Sequence, residues 1–132
     1  MDKKAENHAE MRMVLAFRGD LDEMTRGKSE VQAAHAAFSA GVRLAIDKPL
    51  LVNQYLADGQ PKICIEVDDE DHLAKVVERA RKRGVHVEIV RDQGRTVFAG
   101  PTQTCAIMGP MSKTDSNAIT RGTRMRDREK QT

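Results

Sequence analysis

The sequence predicts a single α/β domain, and three observations predict it. Short apolar runs with the two-residue alternation of strands are separated by stretches whose apolar positions recur at helical spacing. Helical connections between the first three strands favour a mixed, largely parallel sheet with helices on its faces. The 132 residues suit one domain, and with no Trp, one Tyr and three Phe its core must be built from Val, Ile, Leu, Met and Ala packed in layers.

Residues 1–11 are polar and aperiodic and read as an N-terminal tail, after which the domain spans residues 12–112. The apolar run from Met13 to Phe17 is a buried strand, followed by the turn-rich GDLDEMTRGK. From Ser29, Val31, Ala34, Phe38, Val42 and Ala45 recur as on a helix of about four turns. Pro49 opens a second, shorter helix that the Asp58-Gly59 pair ends. Ile63, Ile65 and Val67 alternate as a strand. Asp68 and Asp71 then mark a helix start, Leu73, Val76, Val77 and Ala80 form its buried stripe, and Gly84 falls where a C′ glycine belongs. Val85, Val87 and Ile89 make a third strand, DQGRTVFAGP a loop and TCAIMG a fourth strand. Residues 113–132 hold too few apolar side chains to bury a face and read as a short helix at best, then a basic, mobile tail.

Composition narrows the function. Cys64 and Cys105 each sit in an apolar, strand-like run, where a thiol behaves as a small hydrophobe, so neither a disulfide framework nor a zinc site is expected. The charged N-terminus lacks an apolar segment of signal-peptide length and no run approaches a membrane span, which leads to the expectation of a soluble, cytoplasmic protein with no membrane partner. Residues 111–132 hold six Lys/Arg against three Asp/Glu, while the rest of the chain is nearly neutral. Such a body does not coat nucleic acid, yet it can grip a few phosphates locally.

Ligands of open α/β sheets bind beyond the carboxyl ends of parallel strands, which directs attention to the loops after strands one and three. The first delivers Lys28 to the long helix; the second begins at Asp92. If the two strands are parallel, Lys28 and Asp92 share one edge. Lys28, Gln32 and His35 stand at i, i+4 and i+7, on one side of the helix. Each also has an ordinary structural reading: Ser29 with Gln32 fits a capping box, His35 fits a packed histidine, Lys28 a solvated one, and Asp92 before Gly94 a tight turn. Thr96 and Thr104 offer hydroxyls, although Thr in and beside strands commonly reflects β propensity. The cluster Arg79, Arg81, Lys82 and Arg83 is best explained by the helix dipole. There is no G-x-S-x-G elbow, no phosphate loop and no H-x-x-x-H pair.

Taken together, MRMVLAFRGDL, RGKSEVQAAHAAF, DGQPKICIEV, VRDQGRT and GPTQTCAIMGP resemble, in order and spacing, the type 2 peptidyl-tRNA hydrolases over about residues 12–110. The specific parts are the helix pattern K-x-x-x-Q-x-x-H-A and the D-x-G-R-T loop. The resemblance implies a three-layer α/β/α fold with a four-stranded mixed sheet flanked by helices, a homodimer, no metal or other cofactor, and hydrolysis of peptidyl-tRNA. It implies Lys28, Asp92 and Thr96 as catalytic residues, with Gln32, His35, Gly94, Arg95 and Thr104 lining the substrate site. Ala33, Gln93 and Arg26 depart from the family's usual Cys, Ala and Lys, and the C-terminus is more polar; none of these removes a catalytic group. The alternative is a non-catalytic RNA-binding or protein-interaction module on the same fold.

Overall fold

The computed structural model describes residues 10–92 and 102–126. In chain order the elements are β1 (Arg12–Arg18), α1 (Arg26–Asp47), α2 (Pro49–Ala57), β2 (Lys62–Val67), α3 (Glu70–Lys82), β3 (Val87–Asp92), β4 (Thr102–Met111), α4 (Lys113–Ile119) and β5 (Arg124–Met125). They build one sheet in the order β3-β4-β1-β2-β5. Among the described residues it has five strands rather than four. Among the described residues only β1 and β2 pair in parallel; β1–β4, β3–β4 and β2–β5 are antiparallel, so the sheet is mixed but not largely parallel.

Alternation along the central strands divides the core into two layers. Met13, Leu15 and Phe17 face Ala36, Ala40 and Leu44 of α1 and Tyr55 of α2. Val14 and Ala16 face Leu73, Val76, Val77 and Ala80 of α3 and Ile119 of α4. The small alanines let α1 lie close to the sheet, which compensates for the scarcity of aromatic side chains.

Helix starts follow local chemistry. Thr25 caps α1, its hydroxyl accepting from the Lys28 amide at 3.3 Å, so the helix begins at Arg26, before the Ser29 expected from the capping box. Asp69, one residue beyond the predicted Asp68, caps α3 by accepting from the His72 amide at 2.8 Å. Acidic residues then fill the first turn of α3 and Arg79, Arg81 and Lys82 the last, as its dipole favours.

The largest departure from expectation lies after residue 112. Residues 113–126, read from sequence as tail, contain α4 and β5. Ile119 and Ser116 are buried, and Arg79 donates to the carbonyls of Ile119 and Arg121 at 3.2 and 3.0 Å. One large apolar residue suffices for so short a helix because α3 and β1 already supply the apolar floor beneath it. The expected mobile stretch at residues 127–132 lies outside the described residues.

Candidate active site

Strand direction places the site. β4 runs antiparallel to both β1 and β3, so β1 and β3 point the same way and their carboxyl ends lie at one edge. β2, parallel to β1, ends there too. The loop leading to Lys28 leaves this edge from β1, and Asp92 closes β3 there, its backbone paired with Thr102.

A bulge between β3 and β4 sets the next residue. Val90 pairs with Cys105 and Arg91 with Gln103, leaving Thr104 as an extra residue on β4. Bulges re-aim side chains. Here the fully buried Thr104 meets α1: its hydroxyl donates to Gln32 Oε1 and also lies 3.4 Å from the Val90 carbonyl oxygen. A buried hydroxyl with these partners is satisfied, and the half-buried Gln32 is fixed at its amide end. Lys28, one turn earlier, is half-buried, whereas His35, one turn later, is exposed. The structure thus joins Gln32 to Thr104 and leaves His35 on the solvent side of the same helix. Gly94, Arg95 and Thr96 lie outside the described residues.

Two cationic residues near this edge were missed in the sequence as site elements. Arg18 ends β1 and grips Asp20 through two bonds of 3.0 and 2.8 Å, while a third nitrogen donates to the Gln103 carbonyl at 3.1 Å. The start of the loop toward Lys28 is thereby tied to β4, beside the bulge. The Arg18 guanidinium holds the Asp20 carboxyl below the usual carboxylate range, and that hydrogen bond in turn raises Arg18. The second is Arg126, whose guanidinium covers the Phe17 ring at 4.5 Å and bonds Glu66 and Ser29 at 3.0 Å each. R-G-D directly after a strand was a readable signal for the first; nothing in a polar C-terminus signals the second.

The Cys105 thiol is a poor nucleophile. Burial pushes Cys105 up to about 12, so it stays protonated at neutral pH, and neither cysteine forms a disulfide. Among the described residues no group of three His, Cys, Asp or Glu could hold a metal ion.

Fold and site together define an α/β protein with polar residues gathered at the carboxyl edge of a mixed sheet. A family model described as peptidyl-tRNA hydrolase PTH2 matches residues 11–125. The chain belongs to that family. It is 36% identical over 109 residues to a peptidyl-tRNA hydrolase of Thermoplasma acidophilum, covering 83% of this chain and 92% of the relative. It is also 36% identical over 101 residues to the human mitochondrial peptidyl-tRNA hydrolase 2, covering 76% of this chain and 56% of that longer protein. A solved structure of an Agrobacterium protein of unknown function shares the fold, with TM-score 0.55 at 11% identity, over 89% of this chain and 98% of that one.

Proposed function

We propose that Lys28, Asp92 and Thr96 carry out the hydrolysis of the ester of peptidyl-tRNA, releasing peptide and free tRNA, with Gln32, His35, Gly94, Arg95 and Thr104 lining the substrate site. Membership of the peptidyl-tRNA hydrolase PTH2 family carries the reaction class. The observation that best supports the residue assignment is the shared direction of β1 and β3, which sends the Lys28 loop and Asp92 to one edge.

The chemistry needs three tasks done. Asp92 accepts a proton from water as the water oxygen bonds the ester carbonyl carbon. The Lys28 ammonium offsets the negative charge that develops on the carbonyl oxygen. As the carbon–oxygen bond to the ribose breaks, the proton passes to the leaving ribose oxygen, and the Thr96 hydroxyl orients the water or assists that transfer. Gln32, held by Thr104, offers a fixed amide to the substrate. Water is the only co-reactant, so no cofactor enters.

A second copy of the chain belongs to this reading as a partner. Val31, Phe38, Val42 and Ile46 are 46–76% exposed along the outer side of α1, opposite its buried alanines. An antiparallel pairing of two α1 helices centred between Phe38 and Ser39 sets Val31 against Ile46 of the other copy, so the stripe complements itself under a two-fold axis. A Phe38→Glu variant sedimenting like the parent would exclude this interface. Among the described residues no helix is long and apolar enough to cross a membrane. A cytoplasmic location is part of the proposal, to be checked by fractionation.

Turnover of an N-acetyl-aminoacyl-tRNA decides between the enzyme and a non-catalytic RNA-binding or protein-interaction module. Asp92→Asn should lower turnover by roughly 10²–10⁴-fold while tRNA binding persists, and Lys28→Ala should impair turnover too. No turnover by the parent chain would favour the non-catalytic module, and parental turnover in both variants would remove these residues from the site.

A further inference from the structure

We propose that Arg126 is a positioning residue for Lys28: β5 fastens the first turn of α1 to the carboxyl edge of the sheet and so sets where the ammonium stands. The inference rests on the reading of Lys28 as a residue of the site.

Arg126 follows the last residue of β5, and its side chain is only 11% exposed although it lies near the end of the described chain. Its backbone amide donates to the Cys64 carbonyl at 3.0 Å, continuing the β2–β5 ladder by one bond. The guanidinium then spends itself on three elements. It lies over Phe17 of β1, donates from Nη1 to Glu66 Oε1 of β2, and donates from Nη2 to Ser29 Oγ of α1. A planar fork can hold a carboxylate, a hydroxyl and an aromatic face at once, which a lysine cannot.

Ser29 adjoins Lys28 in the first turn of α1. That turn is thinly packed. A cavity of about 500 Å³ lined by Met24, Arg26, Ser29, Glu30 and Arg126 opens beside it, Arg26 is 92% exposed along its side chain, and a Cβ added at Gly27 would meet nothing within 4 Å. With little packing there, the direction of the turn depends on its polar ties, and the bond from Ser29 to Arg126 links it to β1, β2 and β5 together. Arg124 reinforces the anchor from the far side, bonding Glu66 at 2.7 Å and Asp68 at 2.7 Å. Glu66 therefore receives both arginines, and the Arg126 charge is met inside the fold rather than offered to RNA.

The test compares kcat and KM for an N-acetyl-aminoacyl-tRNA, at a temperature well below every variant's unfolding midpoint. The variants are Ser29→Ala, Arg126→Met, Arg126→Lys and the Ser29→Ala/Arg126→Met double variant, each also made with Lys28→Ala. Ser29→Ala removes only the bridging bond, and Arg126→Met keeps an apolar chain over Phe17. We expect kcat to fall roughly tenfold in Ser29→Ala and up to roughly a hundredfold in Arg126→Met, the scale of a small misplacement of a reacting group. KM should stay within about twofold of the parent, as binding is not the affected step. The double variant should lose no more than Arg126→Met alone, and every loss should vanish in the Lys28→Ala background. Should Arg126→Met fail to fold, Ser29→Ala and Arg126→Lys carry the comparison.

Variants that lose thermal stability at parental kcat would overturn the proposal, as would losses that persist without Lys28. A raised KM with a salt slope of tRNA binding lower by about one would make Arg126 a phosphate contact, and also overturn it. Impaired Lys28→Ala beside a normal Ser29→Ala and Arg126→Met would sink this proposal alone. A fully active Lys28→Ala would sink the reading of Lys28 and this proposal with it.

Discussion

Replacing Thr104 by Val tests whether the bulge serves the site or only the fold. The two side chains are nearly isosteric, so the change removes a hydroxyl and leaves no cavity. Thr104 is fully buried, and its hydroxyl donates to Gln32 Oε1 with the Val90 carbonyl 3.4 Å away. Losing a donor to partners that cannot all reach water costs about 1–3 kcal/mol, and burying a methyl in its place returns about 1 kcal/mol. A net loss of up to about 2 kcal/mol is expected in denaturant unfolding. The functional effect should be separable: with its anchor gone, Gln32 rotates freely, and forfeiting one oriented hydrogen bond lowers kcat/KM by roughly tenfold. Thr104→Ser keeps the hydroxyl and removes a methyl, so it should lose a similar amount of stability while retaining near-parental turnover. Equal stability losses with equal, parental turnover in both variants would refute the argument and reduce the Gln32–Thr104 bond to packing.

Ile119→Ala should destabilise the chain by about 2–4 kcal/mol, since the side chain is fully buried among Leu73, Val76 and Val77; a change below about 0.5 kcal/mol in urea unfolding would mean that α4 does not dock. Asp20→Asn should reduce stability at neutral pH. Because the folded pKa of Asp20 lies below its unfolded value of about 3.9, the contribution is complete above that value and is lost as pH falls through the lowered one, so the parent and variant curves should converge at acid pH. Cys105 in a Cys64→Ser background should resist a thiol reagent at pH 8 until the protein unfolds, and prompt labelling of the native state would contradict its burial and its pKa near 12.

Some of this was legible in the residues. The run from Met13 to Phe17 reads as a strand because it is apolar throughout, and it proves to be the centre of the sheet, buried on both faces. Gly84 at φ +72 and Gly59 at φ +90 end helices where the sequence placed them, because few other residues adopt that backbone. The sequence offered one edge for the Lys28 loop and Asp92 only on the condition that β1 and β3 run the same way, a condition met through their common antiparallel partner β4. What escaped was tertiary in origin. No local feature of TCAIMG betrays the unpaired Thr104, since a bulge is defined by the partner strand. Likewise β5 has two residues, both exposed, and it and the adjoining Arg126 are held by ion pairs to Glu66 and Asp68, 56 to 60 positions away, rather than by apolar periodicity. Arginines with such distant partners look like a solvated tail in one dimension.

The contrast between the strands explains why this edge can carry a precise site. The strands of one direction, β1, β2 and β3, end there, and β1 hands the chain to a loop, the kind of segment that varies and brings reactive groups. Loops alone place side chains poorly, since few packed contacts hold them. Strand β4 arrives from the opposite direction and supplies the fixed reference: its Gln103 carbonyl takes Arg18 at the root of the Lys28 loop, and its Thr104 takes Gln32 on the helix that follows. Two adjacent residues of one antiparallel strand thus grip both ends of the segment bearing Lys28, and Arg126 holds it from the side of β2. The position of Lys28 is therefore fixed by polar bonds reaching into the sheet, and substitutions that spare every apolar core contact should still be able to move it.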